Sequence, residues 1–161
     1  MYAFLRSYAT KQKFIKVCMQ TSLYVINFSY FLVIRMRIAI PAEDDKGLES
    51  NVSSHFGRAK YFVFVDVKDN QVKEVEVVKV PFDEHGPGDL PKFIKDHGGD
   101  VVLAYGMGHK AIEYFNSLGI DVVTGAYGKV KNVVEAFINQ VLEVDPYWKE
   151  KIEKEKDHQH R

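Results

Sequence analysis

The stretch DVVLAYGMGHKAIEYFNSLGIDVVT, residues 100–124, decides the fold of this chain. It holds two short apolar runs, DVVLA and DVVT, separated by the segment HKAIEYFNSL. In that segment apolar side chains recur three and four positions apart and Gly119 follows, which is typical of an amphipathic helix with a glycine stop. A strand, a helix and a second strand in this order predict parallel strands joined by a right-handed crossover.

The flanking sequence extends this arrangement. Apolar spacing predicts further helices over residues 90–96 and 129–142. Upstream, YFVFVDV (61–67) and QVKEVEVVKV (71–80) are rich in β-branched and aromatic residues, and the turn residues between them predict a hairpin. With a first strand at residues 37–41, the sequence predicts an α/β fold. Its five-stranded sheet is mixed and mostly parallel, contains one antiparallel hairpin strand, and carries helices on its faces.

The chain divides into three segments. Its 161 residues, 46% of them hydrophobic, suit one core. We expect residues 1–35 to be an N-terminal extension outside the native fold, as a mis-set start codon would produce. A signal or membrane-surface anchor and a genuine extra element are the alternatives. Residues 36–144 form the α/β domain, and residues 145–161 a charged tail, either a frayed helix or disordered. The apolar run at 23–34 is shorter than the roughly twenty residues of a membrane-spanning helix, so no membrane partner is expected.

The charge distribution and the cysteine usage limit the partners and metal ligands that the chain can have. The chain has 22 basic and 22 acidic residues, but residues 1–35 contain five basic residues and no acid, so the remainder is mildly acidic. Without a basic stripe, a nucleic-acid partner is not expected. The only cysteine, Cys18, lies in the extension. It allows no intrachain disulfide, which fits a reducing cytoplasm, and it leaves the domain without thiolate ligands for a metal.

Glycine-rich turns follow the two parallel strands, YGMG at 105–108 and GAYG at 125–128. Ligands of such sheets bind beyond the carboxyl ends of the strands, and converging N–H groups at helix N-termini favour an anion. Gly106, Gly108, Gly125 and Gly128 are therefore candidate binding residues. Tight turns alone would also explain them, and the G-x-G-x-x-A match at residues 106–111 is a weak sign of a nucleotide site.

Three histidines, His55, His85 and His109, lie in loops or at a helix start, each close to a glycine. A neutral imidazole can bind a metal, so all three are candidate metal ligands. Their scattered spacing is not a zinc signature, and a surface or capping role is the alternative for each. His55 belongs to SSHFGRA (53–59), which places an imidazole, a glycine and a guanidinium within four positions.

The segments MRIAIP, SSHFGRAKYFVFVDV, HGPGDLPKFI, DVVLAYGMGHKAIEYF and GIDVVTGAYGKVKNVVEAF together resemble the dinitrogenase iron–molybdenum cofactor biosynthesis family. This is the domain type of NifX, NafY and the C-terminal part of some NifB proteins. The resemblance runs from Met36 to about Leu142. It implies a three-layer α/β/α ribonuclease H-like fold and a non-catalytic carrier of an iron–sulfur or iron–molybdenum-type cluster, or of its precursor.

The resemblance also implies site residues and partners. His55 is the implied cluster ligand, with Phe56, Gly57 and Arg58 beside it in the binding loop. Cluster donor and acceptor proteins are the implied partners. Some relatives carry cysteines that could bind iron, whereas this domain has none. Stand-alone members also occur where no nitrogenase is made, so a role in nitrogen fixation does not follow from the family.

Two other functions are compatible with the sequence. Glu43, Asp44 and Asp45 follow the first strand and could serve a metal-dependent nuclease on the same fold, whose chemistry needs carboxylates around two metals about 4 Å apart. Asp100 and Asp121 precede their strands and are expected at the opposite end of the sheet. Alternatively, the glycine turns could serve an anion- or nucleotide-binding module.

Overall fold

The computed structural model describes residues 35–81 and 86–159, with side chains up to Lys154. From Arg35 onwards the chain forms one compact unit. Apart from Arg35, the expected extension lies outside the described residues, and so does the candidate ligand His85.

Five strands and four helices make up the described part of the chain. In chain order they are β1 (Arg35–Ala42), β2 (Tyr61–Lys68), β3 (Gln71–Lys79), α1 (Asp89–Asp96), β4 (Val101–Ala104), α2 (His109–Ser117), β5 (Asp121–Thr124), α3 (Val130–Ile138) and α4 (Trp148–Gln159). Two 3₁₀ turns, Gly47–Glu49 and Phe56–Arg58, interrupt the long loop between β1 and β2.

The strands form one mixed sheet in the order β3-β2-β1-β4-β5. The pairs β1–β2 and β2–β3 are antiparallel, while β1–β4 and β4–β5 are parallel. Strand β2 therefore runs against the other four, and the prediction of a mostly parallel sheet with one antiparallel hairpin strand is confirmed. Asp69 and Asn70 join β2 to β3 with positive φ angles of 53° and 60°, the backbone that a two-residue hairpin requires.

Both faces of the sheet are buried along β1, β2 and β4, whose residues are apolar at consecutive positions, whereas the outer strand β3 is exposed. On one face, helix α1 packs through Leu90, Phe93 and Ile94, and α2 through Phe115. The alternate strand positions, such as Ile38 and Ile40, point to the opposite face and are also fully buried. Helix α3 adds five buried apolar side chains: Val130, Val133, Val134, Phe137 and Ile138.

A charge cluster closes the edge of the sheet where β1 begins. Arg37 Nη1 donates to Asp66 Oδ2 at 2.7 Å, and Arg37 Nη2 pairs with Glu76. Asp66 is only 5% exposed. The Arg37 backbone N–H also donates to Asp100, which therefore lies at this edge, as the sequence predicted.

The predicted end of the third helix is wrong by four residues. Helix α3 ends at Ile138 instead of Leu142 because Gln140 adopts a positive φ of 60°. The N–H groups of Gln140 and Val141 then donate to the carbonyls of Phe137 and Ala136, a Schellman cap. The chain leaves the helix axis at this point, and Val141 is 67% exposed.

Candidate functional site

The parallel strands β1, β4 and β5 end at the same edge of the sheet, and the loops that carry the predicted site residues all begin there. Residues 43–60 follow β1, the first glycine turn (105–108) follows β4, and the second glycine turn (125–128) follows β5. We call these two turns together with residues 51–58 the strand-end rim.

Residues 51–58 are bound to the first glycine turn. His55 and Gly106 form an isolated parallel β-bridge, and the Phe56 N–H donates to the Gly106 carbonyl at 3.1 Å. The Phe56 ring is buried and makes edge-on contacts with Phe62 and Phe115, at centroid distances of 5.6 and 5.5 Å. The core thus anchors the loop beside His55, and Phe56 contributes to the rim by position, since its ring faces the interior.

The same loop is also bound to the second glycine turn. The Val52 N–H donates to the Gly128 carbonyl at 2.9 Å, and Asn51 bridges to Lys129. In return, the Val130 N–H donates to the Ser50 carbonyl at 3.0 Å. A single loop therefore holds both glycine turns, which lie about twenty residues apart in the sequence.

The charged and titratable residues of the rim differ in exposure. His55 is half-buried, whereas Gly57 and Arg58 are exposed. His109 opens helix α2 with its side chain 84% exposed, and its Nε2 lies 3.1 Å from Glu113 Oε1. Of the three predicted metal ligands, the structure therefore places His55 in the rim and His109 at its outer margin.

The four candidate glycines fall into two pairs. A Cβ placed on Gly106 would lie 1.8 Å from Ile152 Cδ1, and one on Gly125 would lie 2.6 Å from the Asp145 carbonyl oxygen. By contrast, a Cβ on Gly108 or Gly128 would meet nothing within 4 Å. The first glycine of each turn is thus covered by the C-terminal part of the chain, and the second is open.

We call this covering segment, residues 144–152, the C-terminal strap. The Asp145 N–H donates to the Gly125 carbonyl at 2.8 Å, and the segment continues into α4. The sequence predicted a frayed or disordered tail here. No local pattern indicates that the tail returns to the strand ends, because its contacts are with residues 20 to 50 positions earlier.

The Asp145 carboxylate accepts three hydrogen bonds, two from within the strap and one from the first glycine turn. It accepts hydrogen bonds from Lys151 Nζ at 2.6 Å, from the Tyr147 N–H at 2.9 Å and from the Tyr105 hydroxyl at 2.8 Å. These donors hold the pKa of Asp145 below its ordinary value of 3.8, Lys151 most strongly, then Tyr147 and Tyr105. The same contact with Asp145 raises the pKa of Lys151 above 10.5.

A cavity of about 550 Å³ opens between the rim and the strap. The loop after β1 contributes Val52 and Ser54, and the glycine turns contribute Tyr105 and Tyr127. The remaining lining residues belong to the C-terminal segment: Glu143, Val144, Asp145, Pro146 and Lys151. His55 does not line this cavity, although the neighbouring Ser54 does.

The carboxylates that a nuclease would need lie apart. Asp44 accepts from the Lys46 side chain and backbone and from Ser50, contacts that lower its pKa, while Glu43 pairs with Asn51. Asp66 and Asp100 lie at the opposite edge, on Arg37. Within residues 35–81 and 86–159, no three His, Cys, Asp or Glu side chains come close enough together to hold a metal ion. In the same residues, no helix has the length and apolarity to cross a membrane.

Several known proteins are similar to this chain over roughly two thirds of its length. It is 27% identical over 111 residues to the uncharacterized protein MJ0580 of Methanocaldococcus jannaschii, covering 67% of this chain and 90% of the relative. PH0822, a protein of known crystal structure, is 65% identical in sequence to this chain. The two structures superpose with a TM-score of 0.67, over 70% of this chain and 99% of PH0822.

Two further solved structures share the fold. The NMR structure of a Thermotoga protein (TM1290), described as a candidate NifB protein, is 32% identical with a TM-score of 0.55 over 68% of this chain and 92% of its own. The apo form of the orange protein from Desulfovibrio gigas is 27% identical with a TM-score of 0.58, over 69% and 93%. Residues 36–140 match the family described as "Dinitrogenase iron-molybdenum cofactor". The chain therefore belongs to the dinitrogenase iron–molybdenum cofactor family.

Proposed function

We propose that this protein binds and carries an iron–sulfur or iron–molybdenum-type cluster, or a precursor of one, at the strand-end rim, with His55 as a ligand. The observation that carries the proposal is the double attachment of residues 51–58. Their hydrogen bonds to Gly106 and Gly128 bring the HFGR sequence and both glycine turns to one place. Family membership supplies the chemical class of the cargo.

The electrostatics of the rim support an anionic cargo. Clusters of this kind carry negative charge, and the rim offers the exposed guanidinium of Arg58 and the N-terminus of α2. Backbone N–H groups at such a terminus favour anions. Gly108, the N-cap of α2, has free space around its Cα, so a ligand could approach the backbone closely there.

A carrier role fits the ligands that the domain can supply. The only cysteine of the chain, Cys18, lies outside the domain, so the domain cannot hold a cluster through four thiolates. Imidazole coordination, supplemented at most by His109 or His85, leaves the cargo exchangeable with donor and acceptor proteins. We therefore propose a non-catalytic role, in the reducing cytoplasm that the cysteine usage indicates.

The domain assignment forms part of the same proposal. Residues 36–144 are the carrier domain, residues 1–35 an extension, and residues 145–161 a tail. The strand order β3-β2-β1-β4-β5, with β2 alone antiparallel to the rest, supports a ribonuclease H-like assignment for the carrier domain.

Anaerobic reconstitution tests the carrier function. The full chain is incubated with ferrous iron and sulfide, or separately with tetrathiomolybdate, and bound metal is measured after gel filtration together with the visible spectrum and EPR. We expect the parent to retain metal, His55→Ala to lose most of it, and Arg58→Ala to bind more weakly. Lys60→Ala, which removes an exposed cation from the same loop, is the matched control and should bind like the parent.

Two results would contradict this assignment. Binding by His55→Ala equal to that of the parent removes His55 as the ligand, and His109→Ala and His85→Ala then show whether another imidazole takes that role. Absence of bound metal in the parent under all conditions overturns the carrier function itself.

A further inference from the structure

The C-terminal strap lies on the part of the rim that the carrier proposal assigns to cargo. Ile152 Cδ1 contacts Gly106, and the Asp145 backbone is hydrogen-bonded to Gly125. Both contacts fall on the first glycine of a turn, where the strand ends and the turn begins. A ligand seated against the first glycine of either turn would meet the strap before it met the backbone there, whereas the second glycines stay open.

Asp145 brings a negative charge to this position. Its carboxylate collects the Lys151 ammonium, the Tyr105 hydroxyl and the Tyr147 N–H within 2.6–2.9 Å. The side chain of Asp145 is only 11% exposed, so the carboxylate is largely withdrawn from water. The Tyr105 hydroxyl of the first glycine turn is therefore engaged by an anion that belongs to the chain, in the place where an anionic cargo would need a donor.

No residue of the strap is fully buried. The helix that continues it, α4, is mostly charged over residues 148–154, and only Trp148 and Ile152 are half-buried there. Among the described residues, the hydrogen bonds shown between the strap and the domain are those of Asp145 with the Tyr105 hydroxyl and the Gly125 carbonyl. Segments with few buried apolar contacts open at low free-energy cost compared with the core. The strap also lies beyond residues 36–140, which match the family.

We propose that the C-terminal strap is a built-in competitor for the cargo: Asp145 and Ile152 occupy the rim in the unloaded protein, and cargo binding displaces them. This inference rests on the carrier function proposed above. It makes the apparent affinity depend on the fraction of open molecules, so a strap closed nine-tenths of the time weakens binding about tenfold. By linkage, the cargo must in turn raise the fraction of parent molecules in which the strap is open.

The test uses the full chain and its single tryptophan, Trp148, which lies at the start of α4. Acrylamide quenching of Trp148 reports strap opening, and titration with tetrathiomolybdate, followed by absorbance, reports affinity. We expect Asp145→Asn and Ile152→Ala each to increase quenching and to tighten tetrathiomolybdate binding about three- to tenfold. In the parent, saturating tetrathiomolybdate should itself increase the quenching.

Glu143→Gln is the matched control. Glu143 lines the same cavity as Asp145, so its substitution removes one negative charge nearby, but no strap hydrogen bond. It should leave quenching and affinity within about twofold of the parent. Equal tightening by Glu143→Gln and Asp145→Asn would show that charge alone is responsible and would overturn the strap proposal. Ile152→Ala changes no charge, which makes it the second, independent arm.

The remaining outcomes separate the two proposals. If Asp145→Asn and Ile152→Ala bind tetrathiomolybdate as tightly as the parent does, although Trp148 becomes more accessible, the strap proposal is overturned. The carrier function is unaffected by that result. Binding that is seen only in the opened variants supports the strap strongly. No binding by the parent or by any opened variant overturns both. Thermal melts of each variant, followed by circular dichroism, verify that the domain remains folded.

Discussion

Ile152 lies directly over Gly106: a Cβ placed on that glycine would be 1.8 Å from Ile152 Cδ1 and 3.0 Å from the Ser54 carbonyl oxygen. The absence of a side chain at Gly106 thus lets the strap approach the first glycine turn, and lets residues 51–58 pair with it on the other side.

This contact predicts a difference between two glycines of one turn. Gly106→Ala should destabilise the protein by about 1–3 kcal/mol, because the added methyl group would displace Ile152 and would lie 3.0 Å from the Ser54 backbone carbonyl oxygen, which is held in place by the loop. Gly108→Ala should be nearly neutral, because that position has an extended backbone with φ −66° and free space. Urea unfolding measures both variants. Equal losses of stability in the two would contradict the packing described here.

The second glycine turn allows a matched comparison under equal backbone strain. Gly125 and Gly128 have φ angles of +85° and +91°, so alanine costs about 1–2 kcal/mol at either position. Only at Gly125 would the new Cβ also approach a backbone atom, the Asp145 carbonyl oxygen at 2.6 Å. Gly125→Ala should therefore cost more than Gly128→Ala in thermal melts and should also loosen Trp148. A larger loss in Gly128→Ala would be inconsistent with the strap contact.

Strap closure should depend on pH through the Asp145 carboxylate, which accepts from Tyr105 on the domain as well as from Lys151 and Tyr147 within the strap. The pKa of Asp145 is lowered, so its stabilising contribution is present above 3.8 and is lost as the pH falls through the lowered pKa. The pKa of Lys151 is raised, so the pair persists up to 10.5 and is lost as the pH rises through the raised pKa. Trp148 quenching should be constant between these two pH values and should increase when the pH falls below the lower one. Asp145→Asn should lack the acidic transition; its persistence in that variant would point to another group.

The C-terminal cap of α3 predicts a stabilising substitution. Gln140 holds a positive φ of 60°, a backbone that costs a residue with a Cβ roughly 1 kcal/mol. Gln140→Gly should stabilise the protein by about 0.5 kcal/mol, since part of the relief is offset by the greater entropy of glycine in the unfolded chain. Asn139→Gly, at a neighbouring position with φ −81°, should not stabilise. Chemical denaturation of the two variants gives the comparison.

The charge cluster at the opposite edge predicts a large loss of stability. Asp66→Asn replaces the buried carboxylate that accepts from Arg37 and should cost about 1–3 kcal/mol, because a charge-assisted hydrogen bond is weakened while Arg37 keeps Glu76 as its remaining partner. Asp69→Asn, in the exposed hairpin turn with φ 53°, should be close to neutral. A loss below 1 kcal/mol for Asp66→Asn would show that the pair contributes little.

The strands and the rim could be predicted because their signals are local or follow from topology. Two runs of β-branched and aromatic residues with turn residues between them predicted the hairpin, and the strand–helix–strand order of residues 100–124 placed both glycine turns at one edge. The rule that ligands bind at this edge made the glycines of both turns candidate binding residues, while the family resemblance pointed to His55.

The end of α3 and the strap could not be predicted for physical reasons. The helix is capped by Gln140, a residue type with no preference for the left-handed region, so the apolar pattern through Leu142 outweighed it. Asp145 is satisfied by Tyr105, forty positions away, and such a pairing leaves no periodic trace in the sequence. The highly charged composition of α4 then favoured a solvated tail.

The aromatic anchor of the binding loop has a consequence for exchange. With the Phe56 ring wedged among Phe62 and Phe115, the backbone at His55 cannot swing outward unless the interior loosens. In the carrier role proposed above, release of the cargo would therefore proceed by rotation of the His55 side chain and movement of the strap, while the loop backbone stays in place. Substitutions in the strap would then change the rate of release without any change in the sheet beneath it.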